Sequence, residues 1–507
     1  MTDVHGVVTK ESDSQTQAIT TVNLSVIGLV GTAPDALAGN AATLTLGSTL
    51  VNNAIVYTAA AVGTDGNQLQ VTAVSGVPDT TDPDNPVGAT TAAVFADDLL
   101  TITLGTDETG AVTATAVDVV AAVTSVADSG ISAALYSGTT GDGVVTPVSA
   151  TNLTGGADEP FPLYTPALIS GSRSKAKQLG YSGTLYADMN DILNNIGALV
   201  VVVRVEEDED PEQQTANIIQ GIQALQLGQV TLNYQPRILI APDWSTDDGV
   251  GKALESMANT LRGVAYIDSP SMATAESVAI RAQQYGARVE VLRPRVMVTS
   301  DVTGKITARP YSAVAAGLRV AIDSKYGYWW SKSNKEALGF TGLEQVDDYV
   351  MGSDTCTVNQ LNQANVSTVI MMDSYKHWGN RLCSSDPQLR FEACRRTMDA
   401  IEDSIQLSVT KNYTDRPIDA AFGDSLIGSI NSYIRANTGS GRPLNGGRAW
   451  ADPDLNTEET LAAGQFYYNV ALGLKSPAEE IVGTYSIDNS YTIQALGITS
   501  SSSTTTA

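Results

Sequence analysis

"ALVVVVRV" (Ala198–Val205) is the stretch on which the fold turns. It is far shorter than the roughly 20 apolar residues of a membrane helix. It also lacks the alternation of a strand with one wet face. A short continuous β-branched run reads as a strand buried on both faces, as in a parallel sheet covered by helices. Working outward, "QPRILIAPDW" (Gln235–Trp244) and "GVAYIDSP" (Gly263–Pro270) repeat the pattern. Helical patterns separate these runs: "EQQTANIIQGIQALQ" (Glu212–Gln226), "TDDGVGKALESMANTLR" (Thr246–Arg262) and "TAESVAIRAQQYG" (Thr274–Gly286). Strands alternating with helices predict an α/β domain. Upstream, "VNLSVIGLVGTAPDA" (Val22–Ala36) reads as another buried strand, with Gly28 and Gly31 permitting close packing. The α/β domain is expected over 23–36 and 158–352.

Between those parts the composition shifts. Residues 37–157 are rich in Thr, Ala, Val, Gly and Asp, with strand-like runs such as "GNQLQVTAVSG" (Gly66–Gly76) and "LLTITLGTDETGAVTATA" (Leu99–Ala116). They predict an inserted, mostly β domain with an acidic surface and one short helix, "VDVVAAVTSVA" (Val117–Ala127). A C-terminal α+β domain is expected over 353–477. Its long amphipathic helix, in "DPQLRFEACRRTMDAIEDSIQLSVTKN" (Asp386–Asn412), places Cys394, Met398, Ile401, Ile405 and Val409 on one stripe, with Asp386 and Pro387 as its start signal. Residues 1–22 read as an extended arm, 478–498 as a strand-like arm, and 499–507 as a disordered tail. The whole is an α/β and α+β multidomain chain, in line with its 507 residues.

Charge narrows the function. The formal net charge of −26 argues against binding nucleic acid through phosphates and against anionic membranes. Before Arg173 there is one basic residue, Lys10, against 17 acidic ones. The start, "MTDVHGVVTKESDSQ", lacks the basic-then-apolar pattern of a secretory signal. Three cysteines without a CxxC give no disulfide framework, as expected of a protein made in a cytoplasm.

No catalytic, metal or cofactor site emerges. Two histidines exclude HExxH and His-rich metal centres. "GVGKAL" (Gly249–Leu254) and "VTGKIT" (Val302–Thr307) lack the Ser or Thr that follows the lysine of a phosphate-binding loop. "FGDSL" (Phe422–Leu426) matches the nucleophile block of GDSL esterases, but no histidine follows it, and Asp424 and Ser425 read as a helix N-cap. A GDSL-like hydrolase is the distant alternative. His377 and Cys383, six residues apart, have no evident acidic orienter.

"HWGNRLCSSDPQLRFEACRRTMDAIEDSI" (His377–Ile405) resembles the C-terminal domain of contractile phage tail sheath proteins. "HGVVTKESDSQTQAITTVNLSVIGLVGTAPDA" (His5–Ala36), "YSAVAAGLRVAIDSKYGYWWSKSN" (Tyr311–Asn334), "LNQANVSTVI" (Leu361–Ile370) and "PAEEIVGTYSIDNSYTI" (Pro477–Ile493) fit the same family, in its order. The nearest group is the P2-like sheaths, shared with contractile bacteriocins. The resemblance implies a non-enzymatic subunit that forms stacked hexameric rings around a tail tube and contracts to drive the tube through a host envelope. Implied partners are further copies of the chain, the tail tube protein, and baseplate and tail terminator proteins. No cofactor, nucleic acid or membrane insertion is implied. The expected place is the virion tail, after synthesis in the host bacterial cytoplasm. A contractile bacteriocin or other contractile injection system is the alternative.

The resemblance also implies arms that lend strands to a neighbour's C-terminal sheet. Val4, Val7, Val8, Ile481, Tyr485, Ile487, Tyr491 and Ile493 are the candidate arm residues, and Leu496 extends the set. A C-terminal domain facing the tube makes Arg390, Arg395, Arg396 and Lys411 the candidate tube contacts. Arg381 is expected to pair with carboxylates, and Trp378 to anchor packing.

Overall fold

The computed structural model describes residues 17–497. A nine-stranded sheet runs through its centre. In spatial order its strands are Lys335–Glu336, Tyr375–Trp378, Val366–Met371, Val289–Leu292, Val264–Asp268, Ile238–Ile240, Val26–Thr32, Leu199–Val205 and Pro166–Ser170. The inner strands, from 366–371 to 199–205, are mutually parallel, and antiparallel strands close both edges.

Ile27, Leu29, Val200 and Val202 point to one face, under helices Leu185–Leu193 and Ser312–Tyr326. Val26, Val30, Val201 and Val203 point to the other, under Pro211–Ala224, Asp248–Thr260 and Ala275–Ala282. Water reaches neither face, so the sequence has no reason to alternate. The close packing expected at Gly31 is literal: a Cβ there would sit 2.3 Å from Thr184 Oγ1.

The sheet does not stop at residue 352, where the α/β domain was expected to end. Val366–Met371 joins it by pairing Val291 with Val366, and Tyr375–Trp378 adds to that strand. Its buried run, Val366–Ile370, needs the same two-sided cover as the earlier strands.

Residues 41–156 form a separate body with two small sheets. One is ordered Ala41–Leu46, Ile55–Val62, Ile131–Leu135; the other Ala92–Ala96, Leu99–Leu104, Gln70–Ser75, Val148–Asn152. Helix Ala116–Thr124 lies on them, capped reciprocally by Thr115 and Asp118. Tyr57, Val71, Leu100, Ile102 and Val119 belong to a core of its own. Entry and exit are adjacent: Asn40 N donates to Ala157 O at 2.8 Å, and Ala157 N to Asn40 O at 3.0 Å. The segment between them carries eleven carboxylates and no Lys or Arg.

Toward the C-terminus, helices Glu392–Asn412 and Ala420–Ala436 pack with the antiparallel hairpin Leu444–Ala451/Tyr468–Leu474. The long helix begins at Glu392 rather than after Pro387. Leu382 N donates to Arg390 O at 2.7 Å and Arg381 bridges Phe391, which holds the intervening residues in a loop. The second helix begins a turn earlier than expected, capped by Asp419, whose carboxylate accepts from Phe422 N at 2.7 Å. Asp424 and Ser425 therefore lie inside it.

Residues 17–22, the described part of the N-terminal arm, run over these same helices. Gln17 N donates to Ser429 Oγ at 2.8 Å and Val22 N to Ser404 Oγ at 3.0 Å. The expected strand at 478–498 is absent within the described residues. The chain is irregular from Lys475 to Asn489 and forms a short helix at Ser490–Ala495. A strand without a neighbouring edge has no ladder to join.

Candidate functional site

The C-terminal hairpin ends at Leu474, and the exposed tail begins within a few residues. Lys475 Nζ donates to Gly439 O at 2.6 Å. Cys394 Sγ holds Ser476 Oγ at 3.8 Å, and beyond that the next fixed point is Glu479, whose carboxylate receives Arg381 Nε at 2.7 Å and Nη2 at 2.6 Å. Arg390 Nη2 stands 3.6 Å from the same carboxylate. Both arginines face it because the Arg381–Phe391 bridge sets their backbones side by side. Arg381 thus pairs with a carboxylate, as its residue type required.

Beyond this clamp the side chains lose contact with the body. Ile481 is 86% exposed, Tyr485 96% and Ile487 93%; Tyr491, Ile493 and Leu496 are exposed as well. Among the described residues, no hydrogen bond or ion pair ties 481–497 to the rest of the chain. Val4, Val7 and Val8 lie outside the described residues. The arm root forms one wall of a groove of about 1240 Å3, whose other walls include Trp329, Trp330, Trp378 and Arg442. Trp378 packs edge-on against Tyr349, 5.4 Å between centroids.

Behind the arm root, the long helix is fastened to the α/β body by a buried ion cluster. Lys332 Nζ donates to Glu392 at 2.6 Å and to Glu290. Arg319 lies 2.8 Å from Asp323 and 3.5 Å from Glu392. Arg396 grips Asp323 through two bonds of 2.7 and 2.6 Å and donates to Leu24 O at 2.9 Å. His377 stands between Tyr311 and Glu290, at 3.1 and 3.2 Å. Three cations thus face three carboxylates, every one of the six side chains 4% exposed or less. Burial alone would raise the Glu392 carboxyl, but Lys332, then Arg319 and Arg396, hold it far below the usual range. Glu290 and Asp323 are lowered for the same reason, by Lys332 and by the two arginines. Burial pushes the His377 imidazole down, only partly offset by Glu290.

These contacts sort the tube-contact candidates. Arg396 is enclosed, so it presents nothing outward in this conformation. Arg395 pairs with Asp399 at 2.8 Å, Arg390 leans on Glu479 and the Phe391 ring, and Lys411 is exposed. His377, for which the sequence offers no evident acidic orienter, has one in Glu290, 87 positions away. Cys383, half-buried, has a thiol pushed up to about 12 by burial, which makes a poor nucleophile. Ser425 is buried, with the Tyr413 hydroxyl 3.1 Å from its Oγ. No metal-binding cluster and no membrane-length apolar helix occurs among the described residues. The cluster was hidden in the sequence because its members come from distant segments. Its one local signal was a charge set inside an apolar helix, Arg319 among Ala315, Ala316, Leu318, Val320 and Ile322.

Residues 213–381 match the family described as phage tail sheath protein central domain, and 384–488 the phage tail sheath C-terminal domain. A putative prophage major tail sheath protein of Pseudomonas aeruginosa (strain UCBPP-PA14) is 35% identical over 324 residues, 62% of this chain and 83% of that protein. The tail sheath protein of Escherichia phage P2 is 28% identical over 349 residues, 66% of this chain and 87% of that protein. The contracted PVC sheath complex of an extracellular contractile injection system is similar in fold, with a TM-score of 0.50 at 18% identity, over 66% of this chain and 89% of that one.

Proposed function

The chain belongs to the phage tail sheath family, and from that premise we propose that its copies stack as hexameric rings around a tail tube. It is a contractile tail sheath subunit, a structural component of a phage tail. On this reading contraction drives the tube through a host cell envelope. The contacts between copies are heterologous, so one surface meets a different one and the array grows. The exposed apolar arm from Ile481 to Leu496 is the observation that supports this most. An arm of this kind is an aggregation hazard on a monomer and a linking device in an array. Each arm lends a strand to the hairpin sheet 444–451/468–474 of a neighbour, with main-chain hydrogen bonds giving affinity and Tyr485, Ile487, Tyr491 and Ile493 giving register.

The tube protein, baseplate and terminator are the remaining partners. On this reading Lys411, with Arg390 and Arg395, faces the tube. The acidic insertion decorates the outer surface. The subunit is made in the bacterial cytoplasm and carries no catalytic role. Contraction runs on energy stored at assembly, the extended lattice being kinetically trapped.

Negative-stain microscopy of the purified chain tests the reading. Hollow helical tubes are expected from the full chain, and dispersed monomers from a chain truncated after Glu480. Unchanged tubes from the truncated chain would remove arm exchange. The fold it shares with an extracellular injection-system sheath supports a second reading, a sheath on a particle without a genome. DNA-filled heads on native particles decide between them.

A further inference from the structure

We infer that Glu479 is the positioning residue of the C-terminal arm: it fixes where the arm leaves the body and how long the free segment is. The inference rests on the arm-exchange reading. The chain is anchored at Lys475 and again at Glu479, and two residues later its side chains are almost wholly in solvent. The Arg381–Glu479 pair is bidentate, the geometry in which a guanidinium orders a carboxylate best. Glu479 keeps about 29% exposure and Arg381 21%. The clamp is therefore shielded enough to hold, yet carries no core packing. The neighbouring Glu480 has no ion-pair partner among the described residues, so adjacent glutamates divide anchored chain from free chain. Cys394 Sγ still holds Ser476 Oγ at 3.8 Å, so opening the clamp frees Pro477–Glu480 and adds that much slack to the arm. Slack matters because the effective concentration of a tethered binding segment falls as its linker lengthens. A fixed exit point also aims every arm of a lattice in the same direction.

Trypsin provides a monomer-level test at Lys475, which Ser476 follows. In E479A and in R381E, cleavage after Lys475 should accelerate about tenfold, because cleavage tracks the open population. Melting temperature should stay at the parent value. Tube yield should fall several-fold in both variants. The reversed cluster R381E/R390E/E479R should restore slow cleavage and tube yield together, which a merely structural role would not predict. Parent-like cleavage and tube yield in E479A and R381E would overturn the inference. Truncation after Glu480 separates the two ideas. Loss of tubes there, with normal tubes from E479A, leaves arm exchange standing and removes the clamp. Normal tubes from the truncated chain remove both.

Discussion

Lys332 has no route to water. Its ammonium sits between Glu290 and Glu392, with the Tyr266 ring 4.5 Å away. Replacing it by methionine keeps the volume, leaves Glu290 with His377 alone, and leaves Glu392 with Arg319 and the Tyr266 hydroxyl. Breaking one side of a buried pair costs about 3–5 kcal/mol. K332M should therefore unfold at a markedly lower denaturant midpoint, and a midpoint equal to the parent's would mean that the cluster is wetter than it looks. His377 sets a pH dependence. Its folded pKa is depressed, so the unfolded chain takes a proton near pH 6.5 while the folded chain does not. The stability it contributes is complete above that value and declines as the pH falls below it. Glu290, Glu392 and Asp323, also depressed, extend the loss below the usual carboxylate range. Between pH 7 and 5 the melting temperature should fall less steeply in H377Q than in the parent, and parallel slopes would exclude the imidazole as the source. None of these partners was legible in the sequence. Glu290 and His377 are 87 positions apart, and composition carries no information about pairing at that range.

Strands and helices were far more readable. The valine run at Leu199–Val205 announced a strand covered on both sides because continuous apolarity has few other uses at that length. The amphipathic stripe of the long helix places Cys394, Ile401 and Ile405 in the interior. Its start was misread because Asp386–Pro387 has the chemistry of a helix start, while the Arg381–Phe391 bridge holds that stretch in a loop. The tail from Ile481 was legible only in part. Its side chains have the pattern of a strand, but pairing needs an edge that one copy does not offer it. Y485S/Y491S should melt with the parent, since Tyr485 and Tyr491 are 96% and 71% exposed, and surface changes shift stability by about 0.5 kcal/mol or less. The same variant should lose tubes in negative stain. A large drop in melting temperature would show that the tyrosines pack within their own chain.

For the whole molecule, the insertion is a body apart. It has its own core, and its ends meet at Asn40 and Ala157. Replacing 41–156 by a two-residue Gly-Ser link should leave a soluble chain whose melting temperature lies within a few degrees of the parent's. Insoluble product would show that the insertion supports the α/β body. The deletion also takes the formal charge from −26 to −26 + 11 = −15. Self-association of the shortened chain should therefore respond less to salt, because repulsion between distant surface charges is what salt screens. That the insertion is separate was legible from its composition, but the adjacency of its ends required the pairing of Asn40 with Ala157. The ion cluster behind the arm root bears on how such a subunit carries load. A pull on the arm passes through Glu479 and Arg381 to the strand and loop beside the long helix. That helix is riveted to the α/β body by Glu392 and Arg396. Hydrogen-bonded charges lose their hold over a short displacement, and their separation leaves unpaired charge in a dry space. The joint should therefore be stiff and brittle: it yields little under rising tension and then parts in a single event. In a lattice that shortens abruptly, such a joint lets the bodies turn as solid pieces and confines deformation to the tethers between them.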